Sequence, residues 1–123
     1  LVIIVTNQAC IGKSILTEKK LNEIHEKMKK TLWIKNYATI NDIYYSPYYK
    51  YSKNIKYKMN YSDRKPNPGM IIKAIKKWNL NINDSFFVGD SISDYNAAKK
   101  LGLKFYFKNK GLFDKQIKRI IDK

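Results

Sequence analysis

The chain has 123 residues, with 25 basic against 10 acidic side chains and a formal net charge of +15. That length allows one domain, and at 44% apolar and 14% aromatic residues the chain is too hydrophobic for a disordered charged tail. No apolar run approaches the ~20 residues of a membrane helix, and Leu1–Val5 lacks the basic flank and length of a signal peptide, so a soluble, cytoplasmic protein is expected.

The run Leu1 to Val5 is apolar at every position, as a strand buried on both faces of a parallel sheet requires, and it ends in the polar Thr6-Asn7-Gln8. Thr17 is placed to cap a helix with Glu18 in its first turn, and Leu21, Ile24, Met28 and Leu32 then form one apolar face. Ile40 to Tyr45 reads as a second strand, stopped by Pro47. Ser46 to Arg64 has neither helical nor strand period and reads as a long loop, of the kind that is often functional. Asn67 is placed to cap a helix with Pro68 at its first position and Ile71, Ala74, Ile75 and Trp78 on its apolar side. A turn at Asn81–Asp84 leads to a short buried strand, Phe86–Val88, that runs into Gly89-Asp90. A helix from about Ser93 to Leu101 is closed by Gly102 as its left-handed cap, Lys104–Phe107 is a further strand, and a last helix follows Gly111 with Phe113, Ile117, Ile120 and Ile121 on one side.

Strands alternating with helices predict a single α/β domain over residues 1–123, a Rossmann-like three-layer sandwich with a mainly parallel sheet. Ligands of such sheets sit at the carboxyl ends of the strands, which puts Thr6-Asn7-Gln8 and Gly89-Asp90 on one rim. Arg64 and Lys65 stand ahead of the helix that follows Asn67, and Asp94 lies four residues after Asp90. Hydroxyl, amide, ammonium and carboxylate groups so grouped suit a phosphate and a hard divalent cation.

In this order the three segments resemble the haloacid-dehalogenase-like phosphohydrolases. The strand ending in Thr6 looks like that superfamily's second motif, Lys65 like its third, and Gly89-Asp90-Ser91-Ile92-Ser93-Asp94 like its fourth. More narrowly, Thr6-Asn7-Gln8 with Ile11-Gly12, and then Arg64-Lys65-Pro66-Asn67-Pro68-Gly69-Met70, is similar to the D-glycero-D-manno-heptose 1,7-bisphosphate phosphatases and the related histidinol phosphatases. The resemblance implies magnesium-dependent removal of phosphate from a phosphorylated sugar through an aspartyl phosphate. It implies that Thr6 and Lys65 bind the transferring phosphoryl group, that Asp90 ligates magnesium and Asp94 supports this arrangement, and that Asn7 and Arg64 contact the substrate or its phosphate.

The resemblance also places the nucleophile and general acid in an Asp-x-Asp motif on a strand that would precede Leu1. None of Asp42, Asp63, Asp84, Asp90, Asp94, Asp114 and Asp122 stands in such a pair. The expectation is an inactive chain, either a piece of a longer enzyme or a decayed copy, with a sheet that lacks its central strand. Many of these phosphatases hold zinc in the loop that corresponds to Ser46–Arg64. Here it carries Ser46-Pro47-Tyr48-Tyr49 and Asn60-Tyr61-Ser62-Asp63, and Cys10 and His25 are the chain's only thiol and imidazole, so no zinc is expected. Packing of Tyr48, Tyr49, Tyr51, Tyr57 and Tyr61 is expected to order the loop, ahead of a surface for single-stranded nucleic acid. The basic excess reads as a solvated lysine surface rather than a nucleic-acid patch, since only Arg64 and Arg119 are arginine. A non-catalytic basic module binding phosphate or nucleic acid is the alternative. Oligomeric state leaves no trace in the sequence.

Overall fold

The computed structural model describes all 123 residues. Its elements are β1 (Ile3–Asn7), α1 (Glu18–Asn36), β2 (Asp42–Ser46), α2 (Gly69–Trp78), β3 (Phe86–Gly89), α3 (Ile92–Lys99), β4 (Lys104–Phe107) and α4 (Phe113–Ile121). No helix is long and apolar enough to cross a membrane. The alternation of strands and helices is as expected, and every strand pairing is parallel.

The strands do not form one sheet. β1 pairs only with β2, in the register Ile3 with Asp42 through Asn7 with Ser46. β3 pairs only with β4, Phe86 with Lys104 through Gly89 with Phe107. Each of β1 and β3 therefore keeps an open edge, as a sheet without its central strand should. A cavity of about 90 Å³ lies between the two halves, lined by Ile3 and Val5 of β1, Ile71 and Ile75 of α2, Phe87 of β3 and Leu103. The gap shows in the surface. The chain exposes 8786 Å², against about 6,900 Å² for a compact monomer of its mass. Only 12 of 123 residues are fully buried, too few for a closed core.

β1 begins two residues later than its apolar run, and Leu1 and Val2 ahead of it are 73% and 57% exposed. α1 starts where expected, with the Thr17 hydroxyl accepting from the Lys20 amide at 3.1 Å, and ends on Tyr37 in the left-handed region. β2 is shifted to Asp42–Ser46, since Asn41 is used instead to tie the start of β1, its Oδ1 accepting from Val2 N at 2.7 Å. The expected cap of α2 by Asn67 does not form. Pro68 occupies the cap position, while Asn67 donates to the Tyr61 carbonyl and accepts from Lys100. α2 packs on β1 and β2, and α3 lies on β3 and β4 through the fully buried Ala97 and Ala98, whose small side chains let helix and strands approach. α3 ends at Lys99 with Lys100 as its right-handed cap, so Gly102 takes its positive φ of 66° three residues past the helix rather than as the expected cap. α4 keeps its apolar side only half covered, with Ile121 exposed.

The carboxylate of Asp42 fastens β2 to the end of α2. It accepts from Lys77 Nζ at 2.8 Å and Trp78 Nε1 at 2.9 Å through Oδ2, and from Ile43 N at 3.0 Å through Oδ1. Burial alone would raise this carboxyl, but the donors outweigh it and hold it down at about 2. A depressed folded-state pKa stabilises above the ordinary carboxylate value and is lost as pH falls through the folded one. Screened by the solvent that reaches the exposed Lys77, this group should still cost wild-type stability about 1 kcal/mol between pH 4 and 2, and Asp42→Asn should remove that part of the pH dependence in denaturant unfolding.

The loop between β2 and α2 is more ordered than its composition suggests. It contains 3₁₀ turns at Ile55–Tyr57 and Tyr61–Asp63. Tyrosine packing supplies only part of that order, because Tyr51 and Tyr61 are exposed and the sole ring pair within the loop is Tyr49 with Tyr51, 5.7 Å apart.

Candidate active site

Three segments distant in sequence meet at the carboxyl ends of β1 and β3. The first is the end of β1, where Thr6 and Asn7 fall within the strand. The second is Arg64-Lys65, joined to α2 through a cis Lys65–Pro66 bond. The third is the turn from Gly89 into α3. Lys65 connects all three. Its Nζ donates to the Val5 carbonyl at 2.9 Å and to Asp94 Oδ1 at 2.5 Å, and it lies 5.7 Å from the centre of the Phe87 ring. The side chains of Lys65 and Asp94 are 9% and 7% exposed, so this ion pair is shielded from solvent.

Asp94 is held from the other side by the helix it begins. Its Oδ2 accepts from the amides of Asp90 at 3.1 Å and Ser91 at 3.2 Å, and its own amide donates to the Ser91 hydroxyl at 3.2 Å, a reciprocal capping box. Burial pushes the Asp94 carboxyl up, while the Lys65 ammonium and the Ser91 contacts outweigh this and keep it below its ordinary value. Asp94 is thus an anion at neutral pH, and its negative charge orients the Lys65 ammonium at the rim. Gly89 makes the approach possible, since a Cβ there would lie 2.6 Å from both Cβ and Oδ2 of Asp94.

Asn7 stands close to Lys65, and its amide bonds that residue's backbone twice. Nδ2 donates to the Lys65 carbonyl at 3.1 Å and Oδ1 accepts from the Lys65 amide at 3.1 Å. Asn7 thereby clamps the backbone of Lys65 across 58 residues of sequence. The Thr6 hydroxyl accepts from Gln8 Nε2 at 3.2 Å, which leaves its own proton free for an acceptor. Arg64 uses Nη1 on the Tyr48 carbonyl at 3.2 Å, and its remaining N–H groups carry no protein partner. Cys10, half-buried, lies with Sγ 3.6 Å from Gln8 Oε1. His25 is on α1 with its ring 6.0 Å from that of Tyr45.

Asp90 differs from Asp94. Its carboxylate is exposed at the end of β3 and makes no hydrogen bond or ion pair, which suits an oxygen donor to a hard cation. It would hold magnesium alone among the residues of this chain, as no group of three or more carboxylate, thiol or imidazole side chains gathers here. Phosphate oxygens and water fill the other positions of such an ion in phosphoryl-transfer sites, where the cation neutralises phosphate charge.

Comparison with known proteins places the chain in a family and a fold. The model of the haloacid dehalogenase-like hydrolases matches residues 39–108, which include Lys65, Asp90 and Asp94. A D-glycero-beta-D-manno-heptose-1,7-bisphosphate 7-phosphatase of Rhodopseudomonas palustris is 32% identical over 119 residues, covering 94% of this chain and 66% of the relative. One of the same description from Pasteurella multocida is 35% identical over 104 residues, covering 85% of this chain and 55% of the relative. Among solved structures, a HAD-like phosphatase from Mesorhizobium loti superposes with a TM-score of 0.75 at 26% identity, covering 82% of this chain and 48% of that one. The D,D-heptose 1,7-bisphosphate phosphatase of B. bronchiseptica, complexed with magnesium and phosphate, superposes with a TM-score of 0.71 at 24% identity, over 95% of this chain and 61% of that one, and shows the shared fold. The chain spans between 51% and 66% of the length of such curated relatives.

Proposed function

The chain belongs to the haloacid dehalogenase-like hydrolase family, and on that premise we propose that it supplies the phosphoryl-binding and cation-binding part of a sugar-phosphate phosphatase of the heptose 1,7-bisphosphate type. One observation carries the reading: a single buried ammonium, on Lys65, ties the end of β1 to the helix that follows Gly89-Asp90. A phosphoryl group at this rim would meet the free Thr6 proton, the Lys65 ammonium and the Arg64 guanidinium from the protein side. Asp90 would hold magnesium, which when bound supplies charge neutralisation for the phosphate. The relatives' printed names give the substrate class, a seven-carbon sugar carrying two phosphates.

In the reaction we propose, a carboxylate oxygen attacks phosphorus, the P–O bond to the sugar breaks and the departing oxygen takes a proton. Water then cleaves the aspartyl phosphate and releases inorganic phosphate. Lys65 and Thr6 balance the charge that builds on the phosphoryl oxygens, and Asp94 keeps Lys65 pointed at them. The attacking carboxylate and the proton donor must come from an Asp-x-Asp strand, which residues 1–123 do not contain. The open edges of β1 and β3, on either side of an apolar cavity, are where we place that strand, whichever polypeptide carries it.

The test is phosphate release from heptose 1,7-bisphosphate by the protein together with the Asp-x-Asp strand that completes it, with histidinol phosphate as the competing substrate. Magnesium-dependent release from the bisphosphate, reduced about a hundredfold or more in Asp90→Asn, is the expected result. Preference for histidinol phosphate would redirect the substrate assignment. Phosphate binding that weakens steeply with salt, without turnover at any magnesium concentration, would instead identify a non-catalytic basic module.

A further inference from the structure

We propose that Glu18 is a positioning residue for the substrate-facing loop: its carboxylate gathers Tyr45, Tyr57 and Lys56 into one knot that seats Pro47–Arg64 on the rim and thereby fixes Arg64. Tyr45 Oη donates to Oε1 at 2.9 Å, while Tyr57 Oη at 2.8 Å and Lys56 Nζ at 3.2 Å donate to Oε2. The donors come from β2 and from the 3₁₀ turn at Ile55–Tyr57, so a single side chain on α1 joins three parts of the molecule. Asp63 ties the far end of this loop to Lys73 of α2, while the turn at Ile55–Tyr57 is attached through Glu18, a carboxylate outside the loop.

The knot leads to Arg64 through the backbone. The Tyr57 carbonyl accepts from Tyr49 N at 2.8 Å, and the carbonyl of the preceding residue, Tyr48, accepts from Arg64 Nη1 at 3.2 Å. The same short stretch rests on the loop after β1, where Gly12 N donates to the Pro47 carbonyl at 3.0 Å. A Cβ at Gly12 would stand 2.7 Å from that carbonyl oxygen and from Tyr49 Cβ, so this contact is made backbone against backbone. Losing the hold on Tyr57 frees Tyr49, then Tyr48, and with them the direction of the Arg64 guanidinium. Burial and the Glu18 charge push the Tyr45 hydroxyl up to about 12, so it remains a donor at any physiological pH. Burial would raise Glu18 itself, but the hydroxyls of Tyr57 and Tyr45 and the Lys56 ammonium lower it and keep it charged.

The importance of Arg64 rests on the phosphatase reading, whereas anchoring of the loop does not, and the test separates them. Amide hydrogen exchange is measured by NMR on the protein and on Glu18→Gln and Tyr57→Phe, with Glu23→Gln as a control that breaks only the exposed pair with Lys20 on the same helix. The Tyr49 and Ser52 amides should exchange about tenfold faster in the first two variants, with α2 and β3 unchanged and the control like wild type. Wild-type rates at Tyr49 in both variants, or equal acceleration throughout α2 and β3, would overturn the proposal. In the active enzyme Glu18→Gln should raise KM about tenfold at nearly constant kcat, and a fall in kcat at constant KM would contradict a positioning role. A loosened loop in a protein that hydrolyses nothing would refute the phosphatase reading and leave the anchor standing.

Discussion

Replacing Lys65 by Met should lower stability by about 3–5 kcal/mol, because the change strands the Asp94 carboxylate in a buried site without its counter-charge. Two further losses accompany it. The Val5 carbonyl loses a donor on the open edge of β1, and the only side-chain bridge between the end of β1 and the start of α3 disappears. The double variant Lys65→Met with Asp94→Asn should recover part of the loss, since the amide is neutral and its oxygen still accepts from the Asp90 and Ser91 amides. A Lys65→Met protein within 1 kcal/mol of wild type in urea unfolding, a loss far below the expected ~3–5 kcal/mol, would show that Lys65 does not bind the two halves of the fold together.

The second large effect concerns the gap between the two-stranded sheets. A free peptide of five or six apolar residues ending in Asp-x-Asp should bind between β1 and β3, parallel to both, and bury the cavity lining of Ile3, Val5, Ile71, Ile75, Phe87 and Leu103. At a hundredfold excess over its Kd such a ligand adds about 2.7 kcal/mol to stability, which for a chain of this size raises Tm by roughly 10 °C. A peptide of the same length with proline at every position ahead of the Asp-x-Asp has no N–H to donate to either edge and should leave Tm unchanged. Equal effects of the two peptides would mean that the gap is not a strand site.

The parts of this molecule that could be read from sequence are those whose signal is local. Thr6 and Gly89-Asp90 follow apolar runs directly, and Lys65 precedes an apolar helical period, so the rim could be assembled from element order alone. The role of Asn7 could not, because its two partners are the backbone groups of a residue 58 positions away. Glu18 was legible as a first-turn acid of α1, while the donors that give it a further role lie 27 to 39 residues downstream, Tyr45 on β2 and Lys56 and Tyr57 in a segment without periodicity. Asn67 has the chemistry of a helix cap and is taken by Tyr61 and Lys100 instead. The run Leu1–Val5 reads as doubly buried, yet its first two residues are exposed and Ile3, Ile4 and Val5 are only partly covered. In each case local preference was sound and a long-range partner, present or missing, decided the outcome.

The central claim is that Thr6, Lys65, Asp90 and Asp94 form half of a phosphatase site that an Asp-x-Asp strand completes. Its most direct test is release of inorganic phosphate from heptose 1,7-bisphosphate in magnesium by the chain mixed with the Asp-x-Asp peptide, against the same peptide carrying Asn-x-Asn. Turnover with the first peptide that disappears with the second, and in Asp90→Asn, is what this account predicts. Tight binding of both peptides with no release of phosphate from either mixture would contradict it.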